Sequence, residues 1–119
     1  MAYDTALADR VRDLLAADPL SGEVTERKMF GGLAFLVGGR MALAVSRQGG
    51  LLVRVDPTQS DALVARTGAE LAVMQGRQMD GWLRVTADRL RTGRQVSAWV
   101  SRAVRYVDTL PAPTAKQRR

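Results

Sequence analysis

Four short apolar runs, residues 24–30, 33–37, 41–46 and 51–55, follow one another with glycine pairs between them, and this pattern limits the available folds more than any other feature of the chain. Gly38-Gly39 and Gly49-Gly50 leave only tight connections, and glycine accepts the positive φ that two-residue hairpin turns demand. The runs therefore predict an antiparallel meander. Residues 33–37 and 41–45 are apolar at nearly every position, which predicts central strands covered on both faces. Residues 24–28, where Thr25, Glu26 and Arg27 interrupt the apolar pattern, read as an edge strand.

Helical spacing brackets the meander. Tyr3, Leu7, Val11, Leu14 and Leu15 recur every three or four residues, predicting an amphipathic helix over 4–17 that Asp4 caps and Asp18-Pro19 stops. Asp56-Pro57-Thr58 opens a short helix with Ala62, Leu63 and Val64 inward, ended by Thr67-Gly68. Two more strands are expected at 71–74 and 82–85, joined by the glycine-bearing stretch 75–81. Val96, Trp99, Val100, Ala103, Val104 and Val107 then form the stripe of a last helix, with Thr92 as its cap and Pro111 beyond its end. The prediction is an α+β domain over residues 1–110, in the order α-β-β-β-β-α-β-β-α, followed by a basic flexible tail over 111–119.

Composition restricts function. The chain has neither cysteine nor histidine, which removes the thiolate nucleophile, the general base that titrates near neutral pH and the two commonest transition-metal ligands. Glu23, Glu26, Asp56, Asp61 and Asp80 are left as acid–base groups, and their spacing forms no recognisable pair. Residues 31–39 are glycine-rich but lack the Lys-Ser/Thr of a phosphate loop and lead into a strand. No catalytic residue, cofactor or metal site is expected. No apolar run approaches the roughly 20 residues needed to cross a bilayer, and Asp4, Asp9 and Asp13 are unlike the basic start of a leader, so a cytoplasmic protein without a membrane partner is expected.

The net charge of +6 lies wholly in the last third: residues 84–119 hold nine basic against two acidic residues. Arg89, Arg91 and Arg94 cluster at the entrance of the last helix, where free N–H groups with arginine support make a candidate anion site, the alternative being a solvated loop. Arg102 and Arg105, three apart and off the apolar stripe, are expected to face solvent. With Lys116, Arg118 and Arg119 extending the charge, residues 84–119 suggest weak, sequence-independent attraction to nucleic acid at low salt, and a nucleic-acid-associated accessory protein using this basic third is the alternative function. Trp99 and Phe35 belong to the core by their spacing, whereas Trp82, after a glycine-rich turn, is either a core anchor or a partner-facing aromatic. An unpaired strand edge and a generous apolar content also predict a homodimer.

The segment Lys28-Met29-Phe30-Gly31-Gly32-Leu33-Ala34-Phe35-Leu36 resembles the Lys-x-Met-Phe-Gly-Gly signature of TfoX/Sxy N-terminal domains. Met1-Ala2-Tyr3-Asp4, Leu51-Leu52-Val53-Arg54-Val55 and the segment from Gly76 through Gly81-Trp82 to Val85 are similar to that family in the same order, so the resemblance covers residues 3–110. It implies helices packed on an antiparallel sheet, a non-enzymatic regulatory or protein-interaction role with an unidentified protein partner, and no established catalytic residue. Full-length competence regulators carry a second, helical domain and act at promoters with an activator of the cyclic-AMP receptor type. Gly31, Gly32 and Gly81 border strands and are read as structural rather than ligand-contacting.

Overall fold

Asp4 sets the start of the first helix: its carboxylate accepts the Leu7 backbone N–H at 3.0 Å, and α1 runs Thr5–Ala17. A computed structural model describes residues 3–29 and 31–111 of the chain. At the far end of α1 the Ser21 hydroxyl lies within hydrogen-bond reach of the Leu15 and Asp18 carbonyls, which also accept the Asp18 and Ser21 backbone N–H groups.

The meander forms as β1 (Val24–Met29), β2 (Gly32–Val37), β3 (Arg40–Val45) and β4 (Leu51–Arg54). Asp56 then accepts the Thr58 N–H at the entrance of a 3-10 turn, Pro57–Gln59, which leads into α2 (Ser60–Thr67). Gly68, at φ 82°, closes α2 in the left-handed conformation. β5 (Glu70–Met74) and β6 (Arg77–Val85) follow, and α3 (Gly93–Asp108) ends the described fold. This is the predicted α+β order. All six strands join one antiparallel sheet in the order β1-β2-β3-β4-β6-β5, so β6 enters beside β4 and β5 becomes the second edge.

Two expectations are corrected. Residues 75–81 are not a connection: Gln75 and Gly76, at φ 54° and 79°, make a two-residue turn, and 77–81 extend β6 to nine residues. A turn with both residues at positive φ matches strand twist, so pairing resumes at once. Nor are β2 and β3 covered on both faces. Buried Ala8, Val11 and Leu15 of α1, Leu63 of α2 and the stripe of α3 form one cluster with the sheet positions that share the face of Phe35 and Leu43. On the other face Ala34 is buried outside that cluster, while Leu36, Ala44 and Leu52 are half-buried. The two strands read as continuously apolar because alanine and leucine occupy a face that no described helix covers.

Phe35, Leu43, Val53 and Leu83 lie in one register row across four strands, each with no exposed surface. Burying side chains of this size contributes about 1.5–3 kcal/mol each before ordering is counted. The row continues to Glu26 at one edge and to Leu71 at the other.

Candidate functional site

The row next to this core row has the opposite character. Arg27 pairs with Ala34, Ala34 with Ala44, Ala44 with Leu52, Leu52 with Arg84, and Arg84 with Glu70. Directly opposed residues share a face, so this row crosses the sheet on the side away from the helices. Beside it run Thr25, Leu36 and Met41, followed by Arg54 opposite Trp82. Trp82 is half-buried on this free face, one residue out of step with Leu83, and lies outside the core cluster. Arg54 donates to the Met41 carbonyl at 3.3 Å, and its guanidinium carbon lies 6.0 Å from the Tyr106 ring centroid, where β3 and β4 cease to pair. Among the described residues the ion pairs are those of Arg12 with Asp9 and Glu26, which leaves Arg27, Arg54 and Arg84 without one.

The signature segment is the β1–β2 hairpin. Lys28 is exposed on the edge strand, Met29 opposes Gly32, and Phe30 lies outside the described residues. Gly31 takes φ 78°, and a Cβ there would meet the Arg47 side chain. A Cβ on Gly32 would overlap the Val45 carbonyl oxygen on β3. Gly81, at φ 81°, faces Pro57 and the Val55 carbonyl, with 3.1 Å available to a Cβ. At all three positions the neighbour that a side chain would meet is part of the chain itself.

Among the described residues, the arginines predicted as an anion or nucleic-acid contact serve separate places. Arg89 covers the end of α2, where a Cβ on Gly68 would strike its guanidinium and where a helix C-terminus favours a cation. Asp88 accepts the Thr86 hydroxyl, which together with Arg89 and Arg91 holds its carboxyl below the usual carboxylate range. At the entrance of α3 the Thr92 hydroxyl oxygen accepts the Gln95 N–H at 3.1 Å, while the Gln95 side-chain oxygen accepts the Arg91 and Thr92 N–H groups at 2.8 and 3.0 Å. This capping box occupies donors that a bound anion would use. Arg94 is exposed.

Arg102 is half-buried rather than fully solvated, its guanidinium 4.6 Å from the Trp99 ring centroid. Burial and the nearby charge of Arg66 both push its pKa down. Arg105, exposed on α3, borders the shallow groove between α1 and α3 with Leu14, Leu20 and Ser101. The basic tail expected over 111–119 lies outside the described residues apart from Pro111, whose carbonyl accepts Arg40 Nη1 at 2.6 Å.

The carboxylates are engaged locally. Glu26 takes both its bonds from Arg12, at 2.5 and 2.9 Å, and this holds its carboxyl below the ordinary glutamate range. Asp56 is likewise lowered, by the Thr58 backbone N–H and hydroxyl. Among the described residues no three acidic side chains gather as a metal-binding group, and no helix is long and apolar enough to cross a membrane.

Sequence reasoning passed over Arg27 and Arg84, because only the register shows that they share a face with Trp82; Arg54 opposes Trp82 in register, but its guanidinium turns toward Tyr106 of α3. The only signal in the sequence is one arginine in each of the otherwise apolar runs Leu51 to Arg54 and Trp82 to Val85. Among curated proteins and among solved structures, none matches this chain. The family model for the TfoX N-terminal domain matches residues 13–107, from within α1 to within α3, and so takes in the whole sheet. On that span, with the signature hairpin at the edge of the sheet, the chain belongs to the TfoX N-terminal domain family.

Proposed function

We propose that this domain is a non-enzymatic regulatory module that works by binding another protein, as the resemblance to competence regulators implies. The observation that carries the reading is the local use of its acidic groups. Glu26 is matched to Arg12, Asp4 caps α1, Asp18 accepts the Leu20 N–H, and Asp56 and Asp88 each serve a turn. A general acid or base needs a carboxyl aimed into a cleft and tuned toward neutral pH, whereas the shifts at Glu26, Asp56 and Asp88 all run the other way. Without histidine or cysteine, little remains to do chemistry.

Two measurements test this. The purified domain, incubated with a metabolite extract and followed by mass spectrometry, is expected to deplete nothing. A compound consumed catalytically, and spared by Glu26→Gln or Asp56→Asn, would overturn the reading. Affinity capture from the source cells, followed by reconstitution from purified components, is expected to return a protein partner that binds at fixed stoichiometry.

A further inference from the structure

The free face of the sheet is broad, half-buried and charged in a fixed order. Six strands about 4.8 Å apart span about 29 Å, and six residues along a strand cover about 20 Å, giving roughly 600 Å² of plane. A face of that size covered by its own copy removes about 1,200 Å² or more in total, within the range of specific interfaces. The middle of the face is small and apolar, with Ala34, Ala44, Leu52 and Leu36 on it, and the charges stand toward its two edges.

We propose that a second copy of this chain covers this face, related by a two-fold axis parallel to the strands between β3 and β4. The charge order selects that arrangement. Such an axis reverses the row Arg27, Ala34, Ala44, Leu52, Arg84, Glu70 against itself, so Arg27 of one copy meets Glu70 of the other, Arg84 meets Ala34, and Ala44 meets Leu52. In the neighbouring row Leu36 meets Trp82.

A two-fold axis across the strands would instead set Arg27 on Arg27 and Arg84 on Arg84. Moving the strand-parallel axis by half a strand spacing, onto β3, would set Arg27 on Arg84. For chains that each carry +6, both alternatives add like-charge contacts at a desolvated surface. The chosen packing keeps strand directions aligned, as the twist of two facing sheets favours. It also buries Trp82 against Leu36, an aromatic anchor of the kind interfaces use. The pairing is isologous, because each contact occurs twice.

Sedimentation and single-site spin labelling test this on the full chain. The wild-type chain is expected to be a dimer at about 10 µM, and Ala44→Arg, which puts a charge at the centre of the face, is expected to be a monomer that keeps the wild-type far-ultraviolet circular dichroism and melts lower only by the lost association. Arg27→Glu, exposed on an edge strand and harmless to folding, is expected to weaken the dimer about tenfold, and adding Glu70→Arg in the same chain to restore it.

The chain has no cysteine, so Arg27→Cys takes one label per copy; the proposed axis places the two labels about 25 Å apart, against about 10 Å for an axis across the strands. A monomer at every concentration, a dimer indifferent to Ala44→Arg, or a short label distance would each overturn the proposal. So would a monomer that binds a single-stranded oligonucleotide through Trp82, since that would give the face a different occupant.

Discussion

Arg12 on α1 grips Glu26 on the edge strand with both arms of its guanidinium, Nε to one carboxylate oxygen at 2.5 Å and Nη2 to the other at 2.9 Å, while Nη1 holds Asp9 at 2.6 Å. The same guanidinium carbon lies 6.0 Å from the Phe35 ring centroid, so the pair ties the first helix to the outermost strand over the margin of the core. Both partners are partly solvated, 43% and 33% exposed, so the pair contributes modestly despite its bidentate geometry.

Its pH dependence has a definite sign. Arg12 lowers the pKa of Glu26 in the folded state, so the contribution is complete above the ordinary glutamate value of about 4.3 and is lost as pH falls through the lowered value. Glu26→Gln is expected to lose about 0.5–1 kcal/mol at pH 7 and almost nothing against wild type near pH 2. Urea denaturation of both proteins at the two pH values checks this; an equal deficit at both would mean that packing, not charge, holds the strand.

Gly32 is constrained by space rather than by φ. Because a Cβ would overlap the Val45 carbonyl, Gly32→Ala is expected to push β2 from β3 and to destabilise the domain by about 1–3 kcal/mol. Chemical denaturation reads the loss. A variant of full stability that no longer binds a partner would instead make this glycine part of a ligand site.

The capping box at α3 makes a second stability prediction. Thr92→Ala removes the acceptor for the Gln95 N–H and is expected to cost about 1 kcal/mol, whereas Arg94→Ala, exposed two residues further on, is expected to change stability by less than about 0.5 kcal/mol. Thermal melts of the two variants separate the cases.

Nucleic acid should be attracted weakly. With Arg89 on the end of α2, Arg102 over Trp99 and Arg105 beside the α1–α3 groove, the described cations contact few phosphates together. Binding to a random single strand is expected at low salt and lost by about 0.2 M, with no preference among sequences. A fluorescence titration at several salt concentrations decides it: retention at 0.2 M, or a preferred site, would mean that the cations act as one surface.

Much of the fold was legible because it depends on short-range chemistry. Asp4, Gly68 and Thr92 mark helix ends through bonds within a few residues, and Gly38-Gly39 marks a hairpin through its own φ values of 60° and 84°. The stripe from Val96 to Val107 could bury only one way, and each of its six residues is buried.

Sequence spacing alone could not place β6 between β4 and β5, since the order of strands depends on which edge wins the pairing, a contact between residues about 30 apart in the chain. Nor could it show that Arg27, Arg84 and Glu70 stand in one row, or that Ala34 and Ala44 floor a face without helices, because an apolar residue looks the same in the sequence whichever face it joins. Local propensity and period are properties of a few consecutive residues, and the sequence by itself determined those. Register and facing are properties of distant segments brought together, and only the tertiary structure decided them.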